Sequence, residues 1–329
     1  MSAWPQEQWA VLASPETGGW SAAALGEARR RSDAIGSAAV MIVEGGRVVA
    51  QWGDVERRYK CHSIRKSLLS ALIGLHVETG AIDLGKTLAE LGIDDREGLS
   101  DREKAAHVLD LLMARSGIYH PTGHETEYMK NLKPPRHSQG TGTWWVYNNW
   151  DFNALGTIFT QLTGRDIFED FRDRIAAPTG MQDFRYDATR KDGEYVSFDN
   201  TVHRAYPFRM SARDLARFGL LYLRGGRWGG RQVIPEKWVR MSVRPYSHAG
   251  DRGAYGYMWW VARGDIHFPQ VEVPPGTYSA RGAGGHYVVV IPPLDLVVVH
   301  RVDTDQPGRG VDGMAFGALL ETILAAKRG

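Results

Sequence analysis

Strand-forming runs lie at opposite ends of this chain, and any fold that buries them must bring those ends together. Ala38 to Val43, the turn Glu44-Gly45-Gly46 and the return Val48 to Trp52 read as a hairpin near the start. Tyr255 to Ala262, Thr277 to Arg281, His286 to Ile291 and Leu296 to Val302 read as successive strands near the end, with Pro292-Pro293 as the last turn. A helical pattern over Ala22 to Ile35, closed by Gly36, precedes the hairpin. Helical patterns also cover Ser63 to Thr79, Leu84 to Leu91, Ala105 to Ala114, Trp150 to Leu162, Ile167 to Ile175 and Ser211 to Tyr222, and Met314 to Lys327 reads as a terminal helix. In Ser211 to Tyr222, Ser211 and Asp214 resemble a capping box. The economical α/β (α+β) architecture is an antiparallel sheet assembled from both ends, flanked by terminal helices, with a largely helical lobe against one side. Within one domain over 1–329, this predicts a sheet lobe from 20–60 and 250–329 and a mainly helical lobe from 61–249. Residues His120 to Thr143, rich in Gly, Pro, His and Thr without periodicity, read as a long surface loop that shapes a site.

Composition excludes several function classes. Forty basic residues against thirty-eight acidic ones leave +2, too balanced to point to nucleic acid or a membrane surface. No apolar run approaches the length of a transmembrane helix. A single cysteine, Cys61, excludes an internal disulfide and fits a reducing compartment. Met1-Ser2-Ala3-Trp4-Pro5 lacks the basic and then apolar pattern of a secretion signal, so the expected location is cytoplasmic. No feature specifies an oligomer.

The candidate chemistry starts at Ser63-Ile64-Arg65-Lys66, which opens the apolar run Leu68 to Leu75. Residues three apart share a helix face, so the Ser63 hydroxyl and the Lys66 amine are expected side by side at a helix N-terminus. A serine hydroxyl needs a neighbouring base to become a nucleophile. Desolvation moves a lysine towards the neutral form that such a base requires. Taken alone, this spacing is more often a solvated helix start.

The rest of the chain supplies company. Ser63-x-x-Lys66 is followed by Tyr147-x-Asn149 and then by Gly282-Ala283-Gly284-Gly285-His286 leading into a strand. With their contexts, including Phe208-Arg209-Met210-Ser211-Ala212-Arg213-Asp214, these motifs resemble the serine-hydrolase family of class C β-lactamases, penicillin-binding proteins and related esterases and amidases. The branch of 6-aminohexanoate-dimer hydrolase-like proteins looks nearest. The resemblance covers roughly Ala38 to the end and implies a β-lactamase/transpeptidase-like fold. It also implies an acyl-enzyme on Ser63, Lys66 as general base, and Tyr147, lowered in pKa by nearby cations, as proton relay. Asn149 would orient Lys66 and bind a substrate amide or ester. The oxyanion hole would use the backbone N–H of Ser63 and that of His286, after Gly285, and Tyr119 resembles a cleft-lining position. Small-molecule esters or amides are the implied substrates, with no cofactor or metal.

In one respect the chain departs from the family pattern. A Lys or His usually opens the third motif, and here Ala283 stands in that place, which argues against efficient β-lactamase action; Arg281 and His286 are the nearest replacements. The alternatives are a catalytically silent relative that binds a ligand or partner in the same cleft, and a penicillin-binding DD-peptidase.

Other candidates have plainer readings. Cys61 reads as a buried, inert thiol. His120 and His124 are separated by Pro121 and Gly123, so they read as a loop pair rather than a zinc-binding helix face. Glu125 and Glu127 read as solvated loop acids. One member each of Trp144-Trp145 and Trp259-Trp260 is a candidate wall of an acyl pocket.

Overall fold

The computed structural model describes residues 4–328. Its centre is an eight-stranded sheet. The strands are β1 (Ala39–Glu44) and β2 (Arg47–Gly53) from the start of the chain, then β3 (Ser247–His248), β4 (Ala254–Tyr255), β5 (Trp260–Val261), β6 (Tyr278–Gly282), β7 (His286–Ile291) and β8 (Leu296–Arg301). They lie in the order β2-β1-β8-β7-β6-β5-β4-β3, antiparallel throughout. The joint that brings the chain ends together is β1 on β8, in register from Ala39 opposite Arg301 to Glu44 opposite Leu296.

Both faces of the sheet centre are covered, which explains why β1, β7 and β8 are nearly continuous apolar runs rather than alternating ones. Val40, Ile42, Val289, Val298 and their neighbours meet α1 (Ala22–Ala34) and the terminal helix α6 (Gly313–Arg328) on one face. Met41, Val43, Val288, Val290, Val297 and Val299 face the other core, where α2 (Ile64–Glu78) and α5 (Ala212–Leu223) pack. The remaining labelled helices are α3 (Glu127–Leu132) and α4 (Asn149–Thr163).

α2 is buried nearly all round, from Ile64 through Gly74, as befits a helix with apolar residues on every face. Gly74 is a contact requirement: a methyl group there would stand 2.3 Å from the Trp238 ring. Two of its buried polar residues, Ser67 and Ser70, donate their hydroxyls to the carbonyls of Met258 (2.7 Å) and Tyr257 (2.8 Å). Those bonds hold the β4–β5 turn against the helix.

Local differences from the sequence reading have local causes. Leu84 to Leu91 is not helical: its backbone bonds across to the 104–106 segment (Leu88 N to Ala106 O, Ala89 N to Lys104 O, both 2.9 Å), and Glu90 turns back to the Thr87 N–H at 2.8 Å. The helix expected over Ala105 to Ala114 is only Val108–Leu112, because Asp110 caps the His107 N–H (2.8 Å) and starts it late. Tyr255 to Ala262 is divided into β4 and β5 by the turn that α2 holds. Ser211 does cap α5 through the Asp214 N–H (3.1 Å), but the Asp214 carboxylate accepts from the N–H groups of Gln182, Asp183 and Phe184 instead of closing the box. The His120 to Thr143 loop carries α3.

Gly74→Ala is expected to lower unfolding stability by roughly 1–3 kcal/mol, since the added methyl must displace a packed indole. Urea denaturation would show it; an unchanged midpoint would mean the helix–Trp238 contact is loose.

Candidate active site

α2 begins from a constrained turn. His62 takes left-handed backbone (φ 45°), uncommon for a residue with a side chain, and Ser63 follows at φ −73°, ψ −6° without capping the helix through its hydroxyl. The N–H groups of Ile64 and Arg65 bond back to the carbonyls of Cys61 and His62. The Ser63 hydroxyl is therefore available to the side chain one turn along. Lys66 Nζ donates to Ser63 Oγ at 2.8 Å and to Tyr147 OH at 2.6 Å.

Lys66 is buried, with Nζ 4.2 Å from the Tyr147 ring centroid and 4.7 Å from that of Phe152. Among the described residues it forms no ion pair. Burial, reinforced by the charge of Arg65, drives its pKa well below the ordinary 10.5. Arg65 is itself buried, donating Nη2 to Asn153 Oδ1 at 2.7 Å and lying 4.1 Å from the Tyr206 ring centroid. The expected lowering of Tyr147 is not what the environment gives. Burial pushes the phenol up to about 12, and the Ser63 hydroxyl, Arg65, Arg252 and Arg281 oppose that shift only in part. Tyr147 is thus a neutral phenol beside an amine driven towards its neutral form.

A cavity of about 680 Å³ opens at Ser63 and Tyr147. Arg281 and the β6–β7 turn, Gly282 to Gly285, form its floor. Thr126, Met129 and Leu132, at the start of and along α3, form one wall, and Val311 and Met314, beside and within the start of α6, another. The long loop thus shapes the site as its composition predicts. Trp260 lines the cavity, whereas Trp259 is core filling, stacked on Phe218 at 5.8 Å; Trp145 packs behind Trp260 and Trp144 is exposed.

Four expected roles change on inspection. Asn149 does not hydrogen-bond Lys66: its Nδ2 donates to the His124 carbonyl (2.8 Å), anchoring the loop, and its buried Oδ1 has no partner among the described residues. Gly285 lines the cavity, but His286 does not. The His286 backbone pairs opposite Gly282 at the end of the β6–β7 ladder, and its buried ring lies 5.1 Å from that of His62. Ala283 and its glycine neighbours in the turn line the cavity together with Ser63. Tyr119 is buried off the cavity wall, its hydroxyl pushed up to about 12 by burial and Asp151. Glu125 is no solvated acid: it forms a buried ion pair with Lys133 inside the loop, while Glu127 is exposed.

The other candidates fall into place around the site. Cys61 is a buried free thiol. His120 packs on Trp150, 3.3 Å from Glu103, and His124 lies edge-on to Phe198. Of the two proposed stand-ins for the missing cation, His286 is turned away and Arg281 faces the cavity. Arg281 lies between Trp260 (4.9 Å) and Phe268 (4.1 Å), donates Nε to Ser279 Oγ and Nη2 to the His267 carbonyl, and is lowered to about 9 by burial.

A family model described as beta-lactamase matches residues 22–320. The chain belongs to the beta-lactamase family. It is 23% identical over 322 residues to the 6-aminohexanoate-dimer hydrolase of Paenarthrobacter ureafaciens, covering 87% of this chain and 78% of that protein. Among solved structures it is similar to a penicillin-binding protein homologue from Caulobacter crescentus (TM-score 0.67, 16% identity, 92% of this chain and 97% of that one). It is also similar to EstCE1, a hydrolase with promiscuous acyltransferase activity (TM-score 0.64, 16% identity, 94% and 98%). The fold is thus β-lactamase/transpeptidase-like, as the motifs imply. Among the described residues no helix is long and apolar enough to cross a membrane.

The buried lysine has a thermodynamic signature. A lysine whose pKa is depressed in the folded state binds fewer protons folded than unfolded, so stability rises with pH across that window and the penalty disappears above 10.5. Lys66→Met is expected to be more stable than the parent at pH 7, by roughly 1–4 kcal/mol, with the difference shrinking as pH approaches 10.5. Urea unfolding at pH 7 and pH 10 reads this, and a pH-independent difference would contradict it.

Proposed function

We propose that this protein is a serine hydrolase of small esters or amides, acting through an acyl-enzyme on Ser63. The observation that carries this reading is the chain of contacts Ser63 Oγ–Lys66 Nζ–Tyr147 OH, at 2.8 and 2.6 Å, with Ser63 and Tyr147 on the cavity wall. A pure binding protein has no physical need for an unpaired lysine buried beside a serine.

In the proposed reaction, Lys66 in its neutral form uses its lone pair to take the Ser63 proton as Oγ bonds to the substrate carbonyl carbon. The resulting oxyanion is held by backbone N–H groups, that of Ser63 and one from the Gly282–Gly285 turn, of which Ala283 is our choice. As the tetrahedral intermediate collapses, Tyr147 gives its proton to the leaving group and recovers one from Lys66. Water then attacks the acyl carbon, passing its proton back through the same pair, and Ser63 is released. A phenol near 12 suits this donor role. The unpartnered Asn149 Oδ1 is proposed to accept from a substrate amide N–H. The 6-aminohexanoate-dimer hydrolase relative supports a hydrolytic reading.

Exposure to a fluorophosphonate is expected to leave one adduct on Ser63 in intact-mass spectra, with p-nitrophenyl butyrate hydrolysed by the parent. Ser63→Ala should lower kcat by about 10⁴-fold or more, and Lys66→Ala nearly as far, because the residues act as a unit. Absence of both adduct and turnover would favour a silent binding protein, and substantial activity in Lys66→Ala would remove it as the base. Benzylpenicillin should be turned over slowly at best, since Ala283 offers no cation to its carboxylate and the Arg281 guanidinium is engaged by Ser279 Oγ and the His267 carbonyl; rapid hydrolysis measured on pure protein would overturn that.

A further inference from the structure

Two halves of the proposed oxyanion hole come from distant parts of the chain, and one side chain touches both. The Ser63 N–H is placed by the turn at His62, and the opposing N–H by the β6–β7 turn. These two turns are in direct contact: a Cβ on Gly282 would stand 2.5 Å from the Cys61 carbonyl oxygen and 3.3 Å from His62 Cβ. Thr304, three residues beyond the end of β8, sits against both. Its Oγ1 is 2.8 Å from His62 Nε2 and 3.3 Å from His286 Nε2, and its methyl would be 2.6 Å from a Cβ on Gly284. The rest of the turn is held independently, with the Val311 N–H donating to the Gly284 carbonyl at 3.1 Å and His300 Nδ1 donating to the Gly285 carbonyl at 2.5 Å. The backbone of the His62 turn is held by the Cys61 N–H on the Phe208 carbonyl and the Arg65 N–H on the His62 carbonyl, and Thr304 Oγ1 adds the hydrogen bond to its ring.

From this geometry we infer that Thr304 is a positioning residue, its hydroxyl fixing the left-handed His62 turn, and with it the Ser63 N–H, against the Gly282–Gly285 turn. A threonine hydroxyl has one proton to give and two lone pairs, so it can donate to one imidazole while accepting from the other. This requires neutral rings, and burial lowers His62 to about 4 and His286 further below its ordinary range. The bridge exists only if the hydroxyl is present; the methyl contact with Gly284 needs only the branched shape. The inference rests on the hydrolase reading above.

Thr304→Val keeps the shape and removes the hydroxyl, and Thr304→Ser does the reverse. Expected for Thr304→Val is a loss of about 10- to 100-fold in kcat on p-nitrophenyl butyrate and a parallel loss in fluorophosphonate labelling rate, with KM within about twofold. Thr304→Ser should stay within about threefold of the parent in both, and circular dichroism should show both variants folded. Unchanged labelling and kcat in Thr304→Val overturn the inference, as does equal impairment of Thr304→Ser, which would assign the effect to the methyl. A rise in KM at constant kcat also overturns it. Failure of the parent itself to label or turn over would remove the hydrolase reading and this inference with it, whereas a labelled parent with an indifferent Thr304→Val removes the inference alone.

Discussion

Everything about this site follows from the desolvation of one amine. Lys66 lies inside the protein with two hydroxyls and two aromatic rings around it and no carboxylate in ion-pair contact among the described residues. In that environment the charged form loses its hydration without recovering it from a partner, so the neutral amine gains. Each unit of depression costs about 1.4 kcal/mol of folding free energy at pH values below the depressed pKa. Arg65, one residue earlier and also buried, adds to the effect, with Nη2 donating to Asn153 and the guanidinium over the Tyr206 face.

The fold supplies that cost through a sheet buried on both faces and a helix buried almost all round. The β1–β8 pairing turns two distant segments into one platform and delivers the β6–β7 turn to the start of α2. On the other side of the cleft the long loop is fixed from several directions. Lys133 pairs with Glu125 within it, Arg136 reaches Glu103 at 2.9 Å, and Asn149 holds the His124 carbonyl. The loop is a wall with its own buried ion pair, which suits a cavity that must keep water from the amine.

What could be read from the sequence was what depends on period and spacing. The β-branched runs, continuous because both sheet faces are covered, gave the strands of the sheet almost residue by residue at His286–Ile291 and Leu296–Arg301. The i, i+3 spacing of Ser63 and Lys66 needed only a helix to become a contact. What could not be read depended on three-dimensional surroundings. Motif identity does not show that Asn149 faces a loop carbonyl, that Tyr147 is raised rather than lowered, or that His286 points away while Ala283 faces the cleft. Leu84 to Leu91 carries a helical pattern, yet its backbone found partners across the chain instead. Thr304 had no signal at all, since nothing in its neighbourhood marks it before the β6–β7 turn is folded against His62.

Depression of the Lys66 pKa by burial is read out by an NMR titration of its side chain, assigned by comparison with Lys66→Met. A resonance that titrates well below 10.5 is the expected result. A Lys66 that titrates with the surface lysines, near 10.5, would contradict it.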